Sequence, residues 1–195
     1  MRKLFEVIID NLKKNKNIVV FSVAIIILGF ILGVVLSIGE DLECLYRDHL
    51  SNYLIKVFSK ECSPFKLLFE RLFNCFLILL LVAVLSLNKY TFYLNFILLF
   101  YRAFILGLAG KIFISGALVS GFLTFVFLIF IQATFLCLSI IVFLALIYGK
   151  HDCNFKKFVI ISIKILLISL LIAEIGAVLE FIFIVFMFRP ISAYF

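Results

Sequence analysis

The stretch TFYLNFILLFYRAFILGLAGKIFISGALVSGFLTFVFLIFIQATFLCLSIIVFLALIY, residues 91–148, decides the fold. Its only charges are Arg102 and Lys111, and apart from a few uncharged polar residues such as Asn95 and Gln132 the rest is apolar, small or aromatic. One straight helix of that length would run about 87 Å, nearly three times a ~30 Å hydrocarbon core. The block therefore reads as two membrane crossings, residues 91–114 and 117–148, joined by a turn near Ser115–Gly116.

Three further apolar blocks lie outside it: Ile18–Ile38, Leu72–Leu87 and Phe158–Phe188. The whole chain of 195 residues is 66% hydrophobic, with 26 phenylalanines and two prolines, against about 45–50% apolar for soluble domains. A soluble core of this size cannot bury so many phenylalanines. In hydrocarbon, backbone N–H and C=O groups are satisfied within a segment only by a helix. The expectation is an all-α, polytopic membrane bundle of about five transmembrane helices, forming one membrane domain.

Basic residues orient it. The flank 1–17 carries Arg2, Lys3, Lys13, Lys14 and Lys16, and the connector 149–157 carries Lys150, Lys156 and Lys157. Both are expected on the cytoplasmic side by the positive-inside rule. The long block must then cross an even number of times. That places the N-terminus inside and the C-terminus outside, whereas six spans would put the lysine-rich connector outside. The first block lacks a small-residue cleavage site and is long enough to span, so it reads as an uncleaved helix. The net charge of +7 is accounted for by these scattered topology signals, with no basic, aromatic-interleaved surface for nucleic acid.

Between the first two spans lies an extracytoplasmic loop, residues 39–71. Within it, LYRDHLSNYLIKVF spaces Leu50, Leu54, Val57 and Phe58 near helical periodicity. A short amphipathic helix follows, lying either on the outer membrane face or against the bundle. Cys44 and Cys62 fall in this loop and are candidates for a disulfide, while Cys75 and Cys137 read as packing residues within spans.

No H-E-x-x-H, G-x-S-x-G, Walker A or C-x-x-C pattern occurs, and the two histidines lie in polar connectors. His151-Asp152-Cys153 offers three adjacent ligand types on a short connector, where side chains rarely converge on one ion. The chain is expected to be no enzyme, with no cofactor and no metal.

The intramembrane charges need an account, because each costs about 2.5–3.5 kcal/mol at a helix centre on insertion scales. Lys164 is near the cytoplasmic end of its span and can snorkel. On the last span Ser169, Ala173, Gly176 and Glu180 form one small-residue stripe, with Glu174 about 100° round from Ala173. On the third span Ala103, Gly107 and Gly110 form another, with Arg102 at its edge. The expectation is that these two spans pack together, pairing Arg102 with Glu174 and Lys111 with Glu180. Gly29 and Gly33 form a G-x-x-x-G on the first span, a candidate homo-oligomer contact.

The arrangement resembles stage II sporulation protein M. ILGFILGVV resembles that family's first helix and LLFYRAFILGLAGK its third, through Gly107. SGFLTFVFLIFIQATFL resembles the fourth, with Gly121 and Gln132 at matching places, although Ile131 and Ala133 stand where the family has Pro and Asn. LLIAEIGAVLEFIF resembles the last, with Glu180 on the family's glutamate. The resemblance implies a non-enzymatic scaffold in the cell membrane of a spore former, in the septal or engulfing mother-cell membrane. It would localise peptidoglycan-degrading enzymes resembling stage II sporulation proteins D and P during engulfment. The alternative is a small membrane subunit of a transporter, the substrate-binding component of a vitamin importer. In that case Arg102, Gln132 and Glu174 would line a pocket. Membrane lipids are partners in either case.

Overall fold

The computed structural model describes residues 10–36, 40–58, 63–148, 150 and 155–188. All regular structure among them is helical, and five helices are long and apolar enough to cross a membrane. The helices are α1 (Lys16–Val35), α2 (Glu40–Phe58), α3 (Pro64–Leu85), α4 (Leu94–Phe125), α5 (Ile131–Ile147) and α6 (Phe155–Phe183). A single 3₁₀ turn, Thr91–Tyr93, leads into α4, and π-helical turns cover Val126–Phe130 and Ile184–Phe188. The chain is a multi-pass helical bundle, with α2 as the non-spanning helix between the first two spans.

The long block doubles back as expected, but by curvature rather than by a loop. Helical backbone runs through Leu94–Phe125 and on through the π turn into α5. Yet the Phe113 and Phe125 ring centroids lie 6.3 Å apart. A straight helix would separate those residues by about 18 Å. Phe92 and Tyr148, at the two far ends of the block, are likewise 5.9 Å apart. Two Ser-Gly pairs, Ser115-Gly116 and Ser120-Gly121, lie in the bend, and such pairs are where helices kink.

Pairing of the spans departs from the expectation. The chief partner of α4 is α1, and α6 packs on α5 and α3. The α1–α4 joint rests on glycines. A methyl group at Gly29 would sit 2.7 Å from the Phe100 carbonyl oxygen, and one at Gly33 would strike that of Phe104. From the other side, a methyl at Gly107 would strike the Phe30 carbonyl. Backbones this close gain dispersion contacts that lipid tails cannot match. Gly29 and Gly33, expected to face another copy, are thus consumed inside the chain by α4.

Helix α6 does bury its predicted stripe: Ser169, Ala173, Gly176 and Glu180 all face protein. The partner at Gly176 is α5, where an added methyl would lie 2.7 Å from Phe135 Cβ. Ile163, Leu167, Leu171 and Ile182 are exposed on the other side of the helix, as a lipid-facing surface requires. Helix α5 is the central member. Its residues from Ile140 to Ile147 are all buried, and a helix apolar all round must be enclosed.

At the end of the bundle away from α2, polar side chains tie down the chain ends. Asn15 donates through Nδ2 to the Ala145 carbonyl at 2.6 Å. Thr91 Oγ1 donates to the Leu85 carbonyl at 2.6 Å, and Asn95 Nδ2 to Ser86 Oγ at 3.0 Å, closing the α3–α4 turn. By the connectivity, Lys13, Lys14, Lys16, Lys89, Lys150, Lys156 and Lys157 fall at or near this end.

Helix α2 sits at the opposite end. Leu50 and Val57 are buried and Leu54 is half-buried. They pack on Leu106, Ile112 and Phe125 on one side and on Leu67, Leu128 and Ile184 on the other. The amphipathic stripe therefore faces the bundle. Phe58's side chain and Cys62 lie outside the described residues, and Cys44 is an exposed free thiol.

Candidate functional site

The second span begins earlier than hydropathy alone suggests. Ser63 precedes Pro64 at the first helical position, a start signature with physical content: proline lacks the N–H that the first turn leaves unsatisfied. Eight residues expected in the loop, 64–71, are therefore helix. Arg71 consequently lies inside the span, about 10 Å below its first residue at 1.5 Å per residue.

At that depth it meets Glu180. Arg71 Nη2 lies 3.3 Å from Glu180 Oε1, with the two side chains 28% and 1% exposed. The pairing expected between Lys111 and Glu180 is thus replaced by one across α3 and α6. The reason is packing: the stripe carrying Glu180 faces α3 and α5, while α4 lies against α1. Lys111 is half-buried on α4, toward the α2 end. Arg102 and Glu174 do not meet either; no ion pair joins them among the described residues. Glu174 is half-buried on α6.

Arg102 instead faces a cavity of about 380 Å³ between α3, α4 and α5. Arg71 and Asn74 of α3, Arg102 of α4 and Gln132 of α5 line it, with Cys137 behind and Leu50 of α2 above. Counted from the α2 end of their spans, Arg71, Asn74, Gln132 and Arg102 lie roughly 10–20 Å down. Polar groups from three helices thus converge within one slab of the membrane.

Each side chain has a local reason for its place. The π turn at Val126–Phe130 adds a residue to the turn before Gln132, and such bulges are frequent at functional sites. Close approach of Gly176, whose added methyl would lie 3.2 Å from Gln132 Cα, fixes the far side of that segment. Gln132 is buried and donates through Nε2 to Cys75 Sγ at 3.4 Å. Arg102 is half-buried, and its Nε is buried without a hydrogen-bond partner. Asn74 is exposed at the rim, and Ile78, Ile105 and Leu106 complete an apolar wall.

A second cavity, of about 420 Å³, lies between α2 and α4, lined by Arg47, Ser51, Ile112 and Ser115 among others. Leu50 borders both cavities.

Of the residues expected from sequence, Arg102 and Gln132 come together, Glu180 joins through Arg71, and Gly107 serves the α1–α4 joint. Gly121 lies near the end of α4, and its surroundings lie outside the described residues. Sequence reasoning missed Arg71 and Asn74. The Ser63-Pro64 start signal could have found them, by extending the span back to include both.

Compared with family models, curated proteins and solved structures, the chain matches none.

Proposed function

We propose that the chain is a non-enzymatic membrane scaffold of the kind that stage II sporulation protein M represents. It would sit in the cell membrane of a spore former, in the septal and then the engulfing mother-cell membrane. There it would hold extracytoplasmic peptidoglycan-degrading enzymes, resembling stage II sporulation proteins D and P, during engulfment. The observation that carries this reading is the posture of α2. Its Leu50, Leu54 and Val57 stripe fastens it to the bundle, while Leu45, Asp48, Asn52 and Ile55 stand exposed on the opposite face. Exposed apolar residues on a fastened, non-spanning helix suit a surface that a partner covers.

A photocrosslinker placed at Asn52 in sporulating cells tests it, with Leu167 on the lipid face as control. A cell-wall hydrolase should be recovered from the first position and not from the second. Recovery of none from Asn52 would count against the scaffold.

The polar cavity favours a second reading, the substrate-binding membrane component of an importer. Ligand-dependent thermal stabilisation of the purified chain by a vitamin, together with co-purification of a transporter ATPase, would favour that reading over the first.

A further inference from the structure

We propose that the cavity between α3, α4 and α5 is a binding site for an oxyanion, a phosphate or carboxylate group, held by Arg102 with Asn74 and Gln132. This holds whether the bundle anchors an enzyme or passes on a substrate, because it rests on the lining alone.

Charge comes first. Arg71 and Arg102 bring two positive charges to the lining, and among the described residues no carboxylate lines the cavity. Glu180 answers Arg71 from the far side, at 3.3 Å, and no ion pair answers Arg102 among the described residues. A guanidinium is a permanent cation in proteins, so the charge stays. Water can fill such a volume and satisfy hydrogen bonds, but water brings no countercharge. At mid-span depth, where a charge is costly, the missing component is an anion.

Geometry comes second. Arg102 is on the lining and its buried Nε has no hydrogen-bond partner, so the guanidinium has donors to offer a forked acceptor. Guanidinium forks match the two-oxygen edge of phosphate and carboxylate. The amides of Asn74 and Gln132 add donors from the two other helices. Around them the wall is apolar, so the site accommodates an anionic group attached to a hydrocarbon.

Two sources carry the same chemistry. A lipid phosphate could reach the site past Asn74, exposed on α3. A free anion could come by the upper cavity, past Arg47 and Ser51, with Leu50 as the barrier.

The test uses the full chain purified in a neutral detergent. Native mass spectrometry compares dioleoylphosphatidylglycerol with dioleoylglycerol, which shares its tails and lacks the phosphate. A thermal-unfolding series with inorganic phosphate forms the second arm. Preference for phosphatidylglycerol of about tenfold or more, abolished in Arg102→Met and only partly kept in Arg102→Lys, which retains the charge and loses the fork, assigns a lipid source. Stabilisation by millimolar phosphate with the same dependence on Arg102 assigns a free anion. Both together assign an oxyanion site open to either.

The proposal is overturned if neither probe binds, or if Arg102→Met binds as the natural chain does. Should Arg102→Met fail to fold, Asn74→Leu at the rim and Gln132→Leu decide. A severalfold loss of the preference in either supports the site, and an unchanged preference in both overturns it.

Discussion

The two ends of this bundle solve the problem of polar groups in hydrocarbon in opposite ways. Away from α2, the interior is closed. Phe92, Leu79, Ile140, Phe143, Leu144 and Ile147 are each at most 2% exposed. The polar side chains there sit at chain reversals, where Asn95, Thr91 and Asn15 spend their donors on nearby backbone or hydroxyl groups. Toward α2, the interior holds Arg71, Arg102 and Gln132 around a cavity of about 380 Å³, with Glu180 on the far side of Arg71. One end is built for rigidity. The other keeps polar groups at a depth where a purely structural protein gains little from them. Replacing buried ion pairs by apolar residues is often neutral or stabilising.

The comparison breaks most visibly at Glu180. Glu180→Leu removes the buried carboxylate that faces Arg71 inside the span, and breaking a buried pair costs about 3–5 kcal/mol, less where one partner is partly exposed as Arg71 is. Thermal unfolding in detergent should register a large loss for this variant. The double change Glu180→Leu with Arg71→Leu should recover much of it. Failure of the double variant to recover would mean that the pair does more than neutralise itself.

At the closed end, Phe143→Ala should cost about 3 kcal/mol, the low side of such core truncations. The alternative environment for the ring is lipid rather than water, so lost packing dominates. Unfolding followed by circular dichroism would measure it. A change within 0.5 kcal/mol, about the spread of neutral surface substitutions, would mean that this half is looser than its burial implies.

Leu50→Ala should have the smallest effect on stability, about 1 kcal/mol, because its side chain already borders open volume on both sides. Its signature is access. Cys137 lines the deep cavity, so its labelling by a small anionic methanethiosulfonate should accelerate severalfold once the barrier is gone, in a background without the other cysteines. An unchanged rate would show that Leu50 does not separate the site from the α2 side.

Much of the architecture was legible without coordinates. Hydropathy located five spans, and the length of residues 91–148 required a reversal within that block. Helical spacing marked Leu50, Leu54 and Val57 as one face of α2, and Ser169, Ala173, Gly176 and Glu180 as one face of α6. Both faces are the ones that pack. The candidate site was half legible: Arg102 and Gln132 stood out as polar groups in apolar runs. Arg71 and Asn74 were hidden because a hydropathy window ends a span where charges begin, although the Ser63-Pro64 helix start lies further back.

The pairing of helices was not legible, and neither was anything that depends on it. A small-residue stripe says which side of a helix can approach a backbone, and three such stripes on α1, α4 and α6 can combine in several ways. In this chain the glycines of α1 and α4 interlock, and that leaves Glu180 to α3. Sequence by itself determined which segments are long and apolar enough to cross a membrane as helices, because in hydrocarbon each segment must close its own backbone hydrogen bonds. Only the tertiary structure decided which charge meets which and which one is left facing a cavity, because those outcomes follow from the fit of surfaces far apart in the chain.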